Sequence, residues 1–94
     1  MEAWQVYIEE FRRRGERAAA QSVGRDQLLS EAAHDAYQAA SNRLTQNGWE
    51  DEHALVVMRG LMGAVQKWIS SPDADWDALS LEMQRREAEL RDGF

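Results

Sequence analysis

Two glutamate–histidine pairs have the spacing of ligands for a metal ion. Glu31 precedes His34 by three residues, and Glu50 precedes His53 by the same interval. In di-iron carboxylate bundles, two such motifs and further glutamates on neighbouring helices hold the metal. If the chain turns near residue 48, however, His34 lies about 15 Å further along a helical bundle than His53. We therefore expect no metal and no cofactor at these residues, and we interpret them as parts of solvated helix faces.

Other catalytic chemistry has little support in the sequence. The chain has no cysteine, so thiolate nucleophiles, thiolate metal sites and disulfides are excluded. The glycines at 60 and 63 lie inside a predicted helix and do not form a phosphate-binding motif. Nothing in the sequence places the adjacent acids Glu9 and Glu10 in a concave, desolvated site. We expect a protein that is not an enzyme.

The net charge of −6 restricts the classes of partner. Residues 72–94 carry seven acids and three bases, so four of the six net negative charges lie in the last quarter of the chain. The one basic cluster, Arg12 to Arg14, follows Glu9 and Glu10 at the spacing of intrahelical ion pairs. An acidic surface is repelled by nucleic-acid phosphates and by anionic membranes. We expect no direct nucleic-acid or membrane binding, and a protein partner with a basic surface.

The sequence also predicts a location. The start, Met1-Glu2-Ala3-Trp4, lacks the basic and apolar regions of a signal peptide. The longest apolar run covers residues 54–58, which is too short to span a bilayer. The absence of cysteine fits a reducing compartment. We expect a cytoplasmic protein.

Four segments have the three-to-four spacing of apolar residues that is typical of helices. They cover residues 2–21, 25–46, 50–70 and 71–91, with breaks at residues 22–24, at Asn47-Gly48 and at Ser71-Pro72. Ser71 and Pro72 match the first two positions of a helix, and glycine accepts the conformation that ends one. The pattern predicts an all-α fold, a compact antiparallel four-helix bundle with short loops, in which residues 1–94 form a single helical domain.

The four tryptophans support this topology. In such a bundle Trp4 and Trp49 lie at one end, and Trp68 and Trp76 lie at the other. Gly15 lies on the apolar stripe of the first segment, where glycine costs about 1 kcal/mol of helix propensity relative to alanine. A close crossing with another helix would offset that cost.

Two surfaces are candidates for partner binding. Asp73, Asp75 and Asp77 surround Trp76 at the start of the fourth segment, where acids either complement the helix dipole or bind a basic partner. The third segment is apolar around most of its circumference, so it is either a covered central helix or an interface. On the interface interpretation, the exposed residues are Val56, Val57 and Met62.

Two classes of function remain open. The first is a small acidic interaction module, an inhibitor or an adaptor of the phage-type or immunity-type antagonist kind. The second is a homo-oligomeric structural or assembly protein that uses the third helix as its interface, so monomer and homodimer both stay possible. A metal-binding helical bundle is a distant third.

Overall fold

The described residues fold into helices only. The computed structural model describes residues 1–21, 23–71 and 75–93, and no strand occurs in these three ranges. The all-α prediction is confirmed. The helices are 16 to 22 residues long. In chain order they are α1 (Ala3–Ala19), α2 (Arg25–Gln46), α3 (Asp51–Ile69) and α4 (Trp76–Arg91).

Glycines mark both ends of α2, as the sequence predicts. Gly24 has a φ of 71° immediately before the helix, and Gly48 has a φ of 98° after it. Beyond Gly48 the backbone N–H of Trp49 donates to the carbonyl of Leu44 at 3.0 Å. Positive φ is easily adopted by glycine, which lets the chain reverse into α3 after two residues of turn.

The predicted start of the fourth helix is wrong. Ser71 does not cap α4, because its N–H donates to the carbonyl of Trp68 at 3.0 Å and continues the last turn of α3. The cap is Asp75, whose side chain accepts the N–H of Ala78 at 2.7 Å. An aspartate carboxylate satisfies one of the free N–H groups of the first turn. Pro72 and Asp73 lie outside the described residues.

The helices form an antiparallel ring. Each of α1, α2 and α3 packs against the next helix in the chain, and α1 also packs against α4. Within the described ranges α2 and α4 do not touch, so they occupy opposite corners. This is the up-down-up-down arrangement that short loops impose, and the predicted four-helix bundle is confirmed.

An aromatic cluster occupies the end of the bundle where α3 meets α4. The ring centroids of Trp68 and Trp76 are 4.6 Å apart, which confirms the predicted pairing. Phe11 of α1 lies 5.8 Å from Trp68 and 5.1 Å from Trp76, edge to face with both. At the opposite end, Nε1 of Trp49 donates to the carbonyl of Met1 at 3.2 Å, which joins the α2–α3 turn to the N-terminus.

The close crossing predicted at Gly15 occurs between α1 and α2. Gly15 is buried, and a β-carbon placed there would lie 3.2 Å from Cδ2 of Leu29 and 3.5 Å from Cβ of Ala32. The absence of a side chain therefore allows the two backbones to approach closely.

Candidate functional site

The acidic start of α4 has a structural role in the described part of the chain. Asp75 is engaged as the helix cap, and its backbone carbonyl accepts Nε1–H of Trp68 at 2.8 Å. Trp76 is half-buried in the aromatic cluster, and the Cζ of Arg12 lies 5.8 Å from its ring centroid. Asp77 is exposed and has no ion pair with another described residue. Asp73 lies outside the described residues. Among the described aspartates of the predicted patch, Asp77 alone keeps a carboxylate that is not engaged within the chain.

The third helix has one buried face and one exposed face. Val57 is fully buried, so its assignment to an uncovered surface is wrong. Met62 is half-buried, and its sulfur lies 3.3 Å from the hydroxyl of Tyr7 in α1. Eight side chains of α3 form the core face, and they recur at intervals of three and four residues: Ala54, Val57, Met58, Leu61, Ala64, Val65, Trp68 and Ile69.

Two adjacent apolar residues interrupt the polar side of α3. Leu55 and Val56 are each 46% exposed. Val56 was among the predicted contact residues, whereas Leu55 was missed. A count at 3.6 residues per turn from the core residues puts both 55 and 56 on the opposite side, so the helical period carried the signal.

Charged side chains border this pair. Glu52 is one turn before it and Arg59 is one turn after it, and both are exposed. The four residues share a sector about 100° wide. Within the described residues neither Glu52 nor Arg59 has an ion-pair partner. We call Glu52, Leu55, Val56 and Arg59 the outer face of α3.

A buried carboxylate joins α1 to α2. Glu10 accepts hydrogen bonds from Arg14 on its own helix and from Nη1 of Arg43 on α2, the latter at 2.9 Å. The hydrogen bond from Arg14, with that from Arg43, holds the pKa of Glu10 below its ordinary value although burial opposes the shift. The sequence indicated the pair with Arg14. The contribution of Arg43 depends on which faces of α1 and α2 meet.

A second buried carboxylate joins α4 to the start of α1. The oxygens of Glu87 accept the N–H groups of Ala3 at 3.1 Å and Trp4 at 2.6 Å. Burial raises the pKa of Glu87, the two backbone donors oppose this, and the nearby Glu2 adds to it. Arg91 lies 3.4 Å away. The sequence signal was an acid on the apolar stripe of the fourth segment.

The two histidines line different depressions. His34 is exposed beside Glu31 and Asp35 in a shallow depression of about 440 Å³. His53 lies 3.8 Å from Glu50, in a depression of about 280 Å³ next to Trp49. Among the described residues, no three side chains of metal-ligating type lie close enough to hold an ion.

In the described ranges, burial and hydrogen bonds within the fold account for the pKa shifts of the ionisable groups. Burial raises the pKa of Tyr7, whose hydroxyl donates to the carbonyl of Ala33 at 3.2 Å. Hydrogen bonds from Arg85 and Arg86 lower the pKa of Glu82 to about 2. These shifts come from contacts within and between helices and do not converge on one cavity.

The chain matches no protein-family model, and it shows no significant similarity to a curated protein or to a solved structure. It is an all-α four-helix bundle. Over the residues described, none of its helices combines the length and the apolar character needed to cross a bilayer. The function must therefore be inferred from the surface and the contacts of this chain itself.

Proposed function

We propose that this protein is a small, non-enzymatic interaction module that occupies the surface of a partner protein, as an inhibitor or an adaptor. The observation that supports the proposal is the exposed pair Leu55 and Val56. They lie side by side on a helix whose opposite side already fills the core of the chain. Adjacent apolar side chains framed by polar ones are typical of the centre of a protein contact.

The charge around the pair favours a basic partner. Asp51 and Glu52 are exposed in the first turn of α3, and no described residue forms an ion pair with either. The net charge of −6 adds a long-range attraction for a basic surface. A partner that presents Lys or Arg around a small apolar depression would complement both features. The same charge disfavours nucleic acid and anionic membrane as partners.

The non-enzymatic part of the proposal is supported by the shape of the surface. The depressions around the histidines are shallow and open to solvent, whereas catalytic sites exclude water from reacting groups. The proposal also assigns the protein to the cytoplasm, because a chain without cysteine gains nothing from an oxidising compartment.

Site-specific photo-crosslinking tests the proposed surface. A photoreactive amino acid at position 55 is expected to trap the partner in the native host, and the same group at position 28 is not. Leu28 is a matched control, because it is also helical and 40% exposed. With the trapped protein purified, Leu55→Asp is expected to weaken binding at least about tenfold, as burial of an unpaired charge does. Equal effects of Leu55→Asp and Leu28→Asp would contradict the proposal.

Salt dependence tests the charge of the partner. Binding to the trapped protein is expected to weaken as salt is added, because exposed charges are screened over about 10 Å at 0.1 M. The change Glu52→Gln is expected to flatten this dependence, while Glu31→Gln on α2 leaves it unchanged. If binding were insensitive to salt, the basic partner would be ruled out.

A further inference from the structure

The outer face of α3 is complementary to itself. Glu52 lies three residues before Leu55, and Arg59 lies three residues after Val56. Read in the chain direction, the face presents an acid, two apolar residues and a base. Read in the opposite direction, it presents a base, two apolar residues and an acid. A copy laid antiparallel therefore meets each charge with its opposite.

We propose that α3 pairs with α3 of a second copy about a two-fold axis between Leu55 and Val56. In this register Leu55 meets Val56 of the second copy, and Glu52 meets Arg59 of the second copy. The symmetry repeats both contacts, as an isologous interface requires. The inference goes beyond the proposed function, because it assigns a second copy of this chain to the same surface.

The charges select the antiparallel orientation. In a parallel pair Glu52 would meet Glu52 of the second copy, and the two Arg59 side chains would also meet. Like charges that meet at a contact oppose association, whereas opposite charges set the register. Both charged side chains are free of ion pairs with other described residues, so no existing contact has to break.

The geometry of α3 permits the approach. The four side chains lie within a sector of about 100°, which is the width of the stripe that a helix normally buries. The opposite side of the helix is fixed in the core, where Val57, Met58 and Leu61 are fully buried. The outer face is therefore held in place without adjustment of the bundle, and its apolar centre is available for contact.

The small size of the face sets the strength of the pairing. Four residues per copy bury much less than the total of about 1,600 Å² that is typical of a stable complex. We expect a dissociation constant in the micromolar to millimolar range, so dilute protein is monomeric. Pairing covers Leu55 and Val56, which a basic partner would also need. Self-association at high concentration therefore competes with partner binding.

A charge-swap series measured by sedimentation velocity tests the register. The mass of the wild type is expected to rise towards that of a dimer as the protein approaches millimolar concentration. Glu52→Arg and Arg59→Glu are each expected to weaken association about tenfold or more, because each juxtaposes like charges. The double variant E52R/R59E restores opposite charges across the axis and is expected to recover wild-type association. Circular dichroism of each variant controls for folding.

Thiol crosslinking gives a second measurement. Because the chain has no cysteine, Glu52→Cys and Arg59→Cys introduce single reactive thiols. A short thiol-specific crosslinker is expected to join the two variants when they are mixed, and to join neither with itself efficiently. The reverse pattern would establish a parallel pair and overturn the inference.

The outcomes separate this inference from the proposed function. A wild type that stays monomeric to millimolar concentration overturns the self-pairing, and so does a double variant that fails to recover. Neither result affects the trapping of another protein at position 55. Conversely, if association follows the charge-swap pattern but no other protein is trapped at position 55, the self-pairing stands and the proposed function fails.

Discussion

The carboxylate of Glu87, in α4, accepts the backbone N–H of Trp4, at the start of α1, over 2.6 Å. The same side chain also accepts the N–H of Ala3. The first turn of every helix leaves N–H groups without intrahelical acceptors. In α1 the residue at the cap position, Glu2, forms no side-chain cap hydrogen bond. A residue 83 positions away in the chain therefore caps the first helix and ties the first and last helices together.

Removal of this distant cap is expected to destabilise the fold. The change Glu87→Ala leaves the buried N–H of Ala3 and the partly buried N–H of Trp4 without this acceptor, which we expect to lower the free energy of unfolding by about 1–3 kcal/mol. Urea denaturation at neutral pH measures the change. The control is Glu89→Ala on the same helix, whose side chain is exposed and, among the described residues, pairs only with Arg85 at the surface. Equal losses for the two variants would contradict the capping role.

Glu87 is also expected to make stability fall as pH rises. Burial keeps its pKa above the ordinary value of 4.5 although Arg91 lies nearby and the backbone donors oppose the shift. The folded chain therefore holds the proton more tightly than the unfolded chain. The resulting stabilisation is complete below pH 4.5 and is lost as pH rises through the folded-state pKa. The side chain in Glu87→Gln does not titrate. The unfolding free energy of this variant is therefore expected to rise relative to that of the wild type between pH 4 and pH 8.

A series of urea denaturation curves over that pH range tests the sign. A constant difference between wild type and Glu87→Gln would show that the carboxyl titrates alike in the folded and unfolded chains.

Glu10 is expected to act in the opposite direction. Hydrogen bonds from Arg14 and Arg43 lower its pKa, so its stabilisation is present above pH 4.5 and is lost as pH falls through the lowered value. Glu10→Gln is therefore expected to reduce the loss of stability between pH 7 and pH 3. Denaturant midpoints at the two pH values measure it. Glu9→Gln, on the exposed side of α1, serves as the control and is expected to retain the wild-type loss.

The core face of α3 is expected to dominate stability. Leu61 is fully buried, and its replacement by alanine is expected to cost about 2–5 kcal/mol through lost transfer free energy and a residual cavity. Leu81 on α4 is 69% exposed and offers the same substitution without a cavity. Chemical denaturation of both variants compares them directly. Similar midpoints would mean that Leu61 does not lie in the core.

The start of α4 distinguishes a cap from a free acid. Asp75→Ala removes the acceptor of the Ala78 N–H and is expected to cost about 1 kcal/mol. Asp77→Ala removes only a charge in the first turn and is expected to lower the free energy of unfolding by about 0.3 kcal/mol. Thermal denaturation followed by circular dichroism measures both. If Asp77→Ala were the more damaging change, the cap assignment would be wrong.

Local sequence signals predicted the helices well. The predicted range of α2, residues 25–46, coincides with the observed helix Arg25–Gln46. Apolar spacing and the glycines at both ends determine this outcome through neighbours only a few positions away. The prediction for the start of α4 was wrong because it also relied on local signals alone. Ser71-Pro72 and Asp75 are both local start signals, and the choice between them depended on how α3 ended.

The outer face of α3 was predictable in part. The helical period of the core residues places Val57 on the buried side and Leu55 on the exposed side. This period therefore contained the information needed to exclude Val57 and to include Leu55. A helix apolar around most of its circumference gives weak contrast between its two sides. The proposed pairing of its charges with a second copy also follows from the spacing of Glu52 and Arg59, but the spacing supports it only because both residues are exposed.

The sequence by itself determined that there are four helices, that the chain turns at Gly24 and Gly48, and that another helix can approach α1 closely at Gly15. These features depend on backbone preference and side-chain size, which act locally. Only the tertiary structure decided that Glu87 caps α1 and that Arg43 reaches Glu10. Each of these contacts joins groups more than 30 positions apart. Burial and electrostatic partnership of that kind depend on which helix faces meet in the assembled bundle.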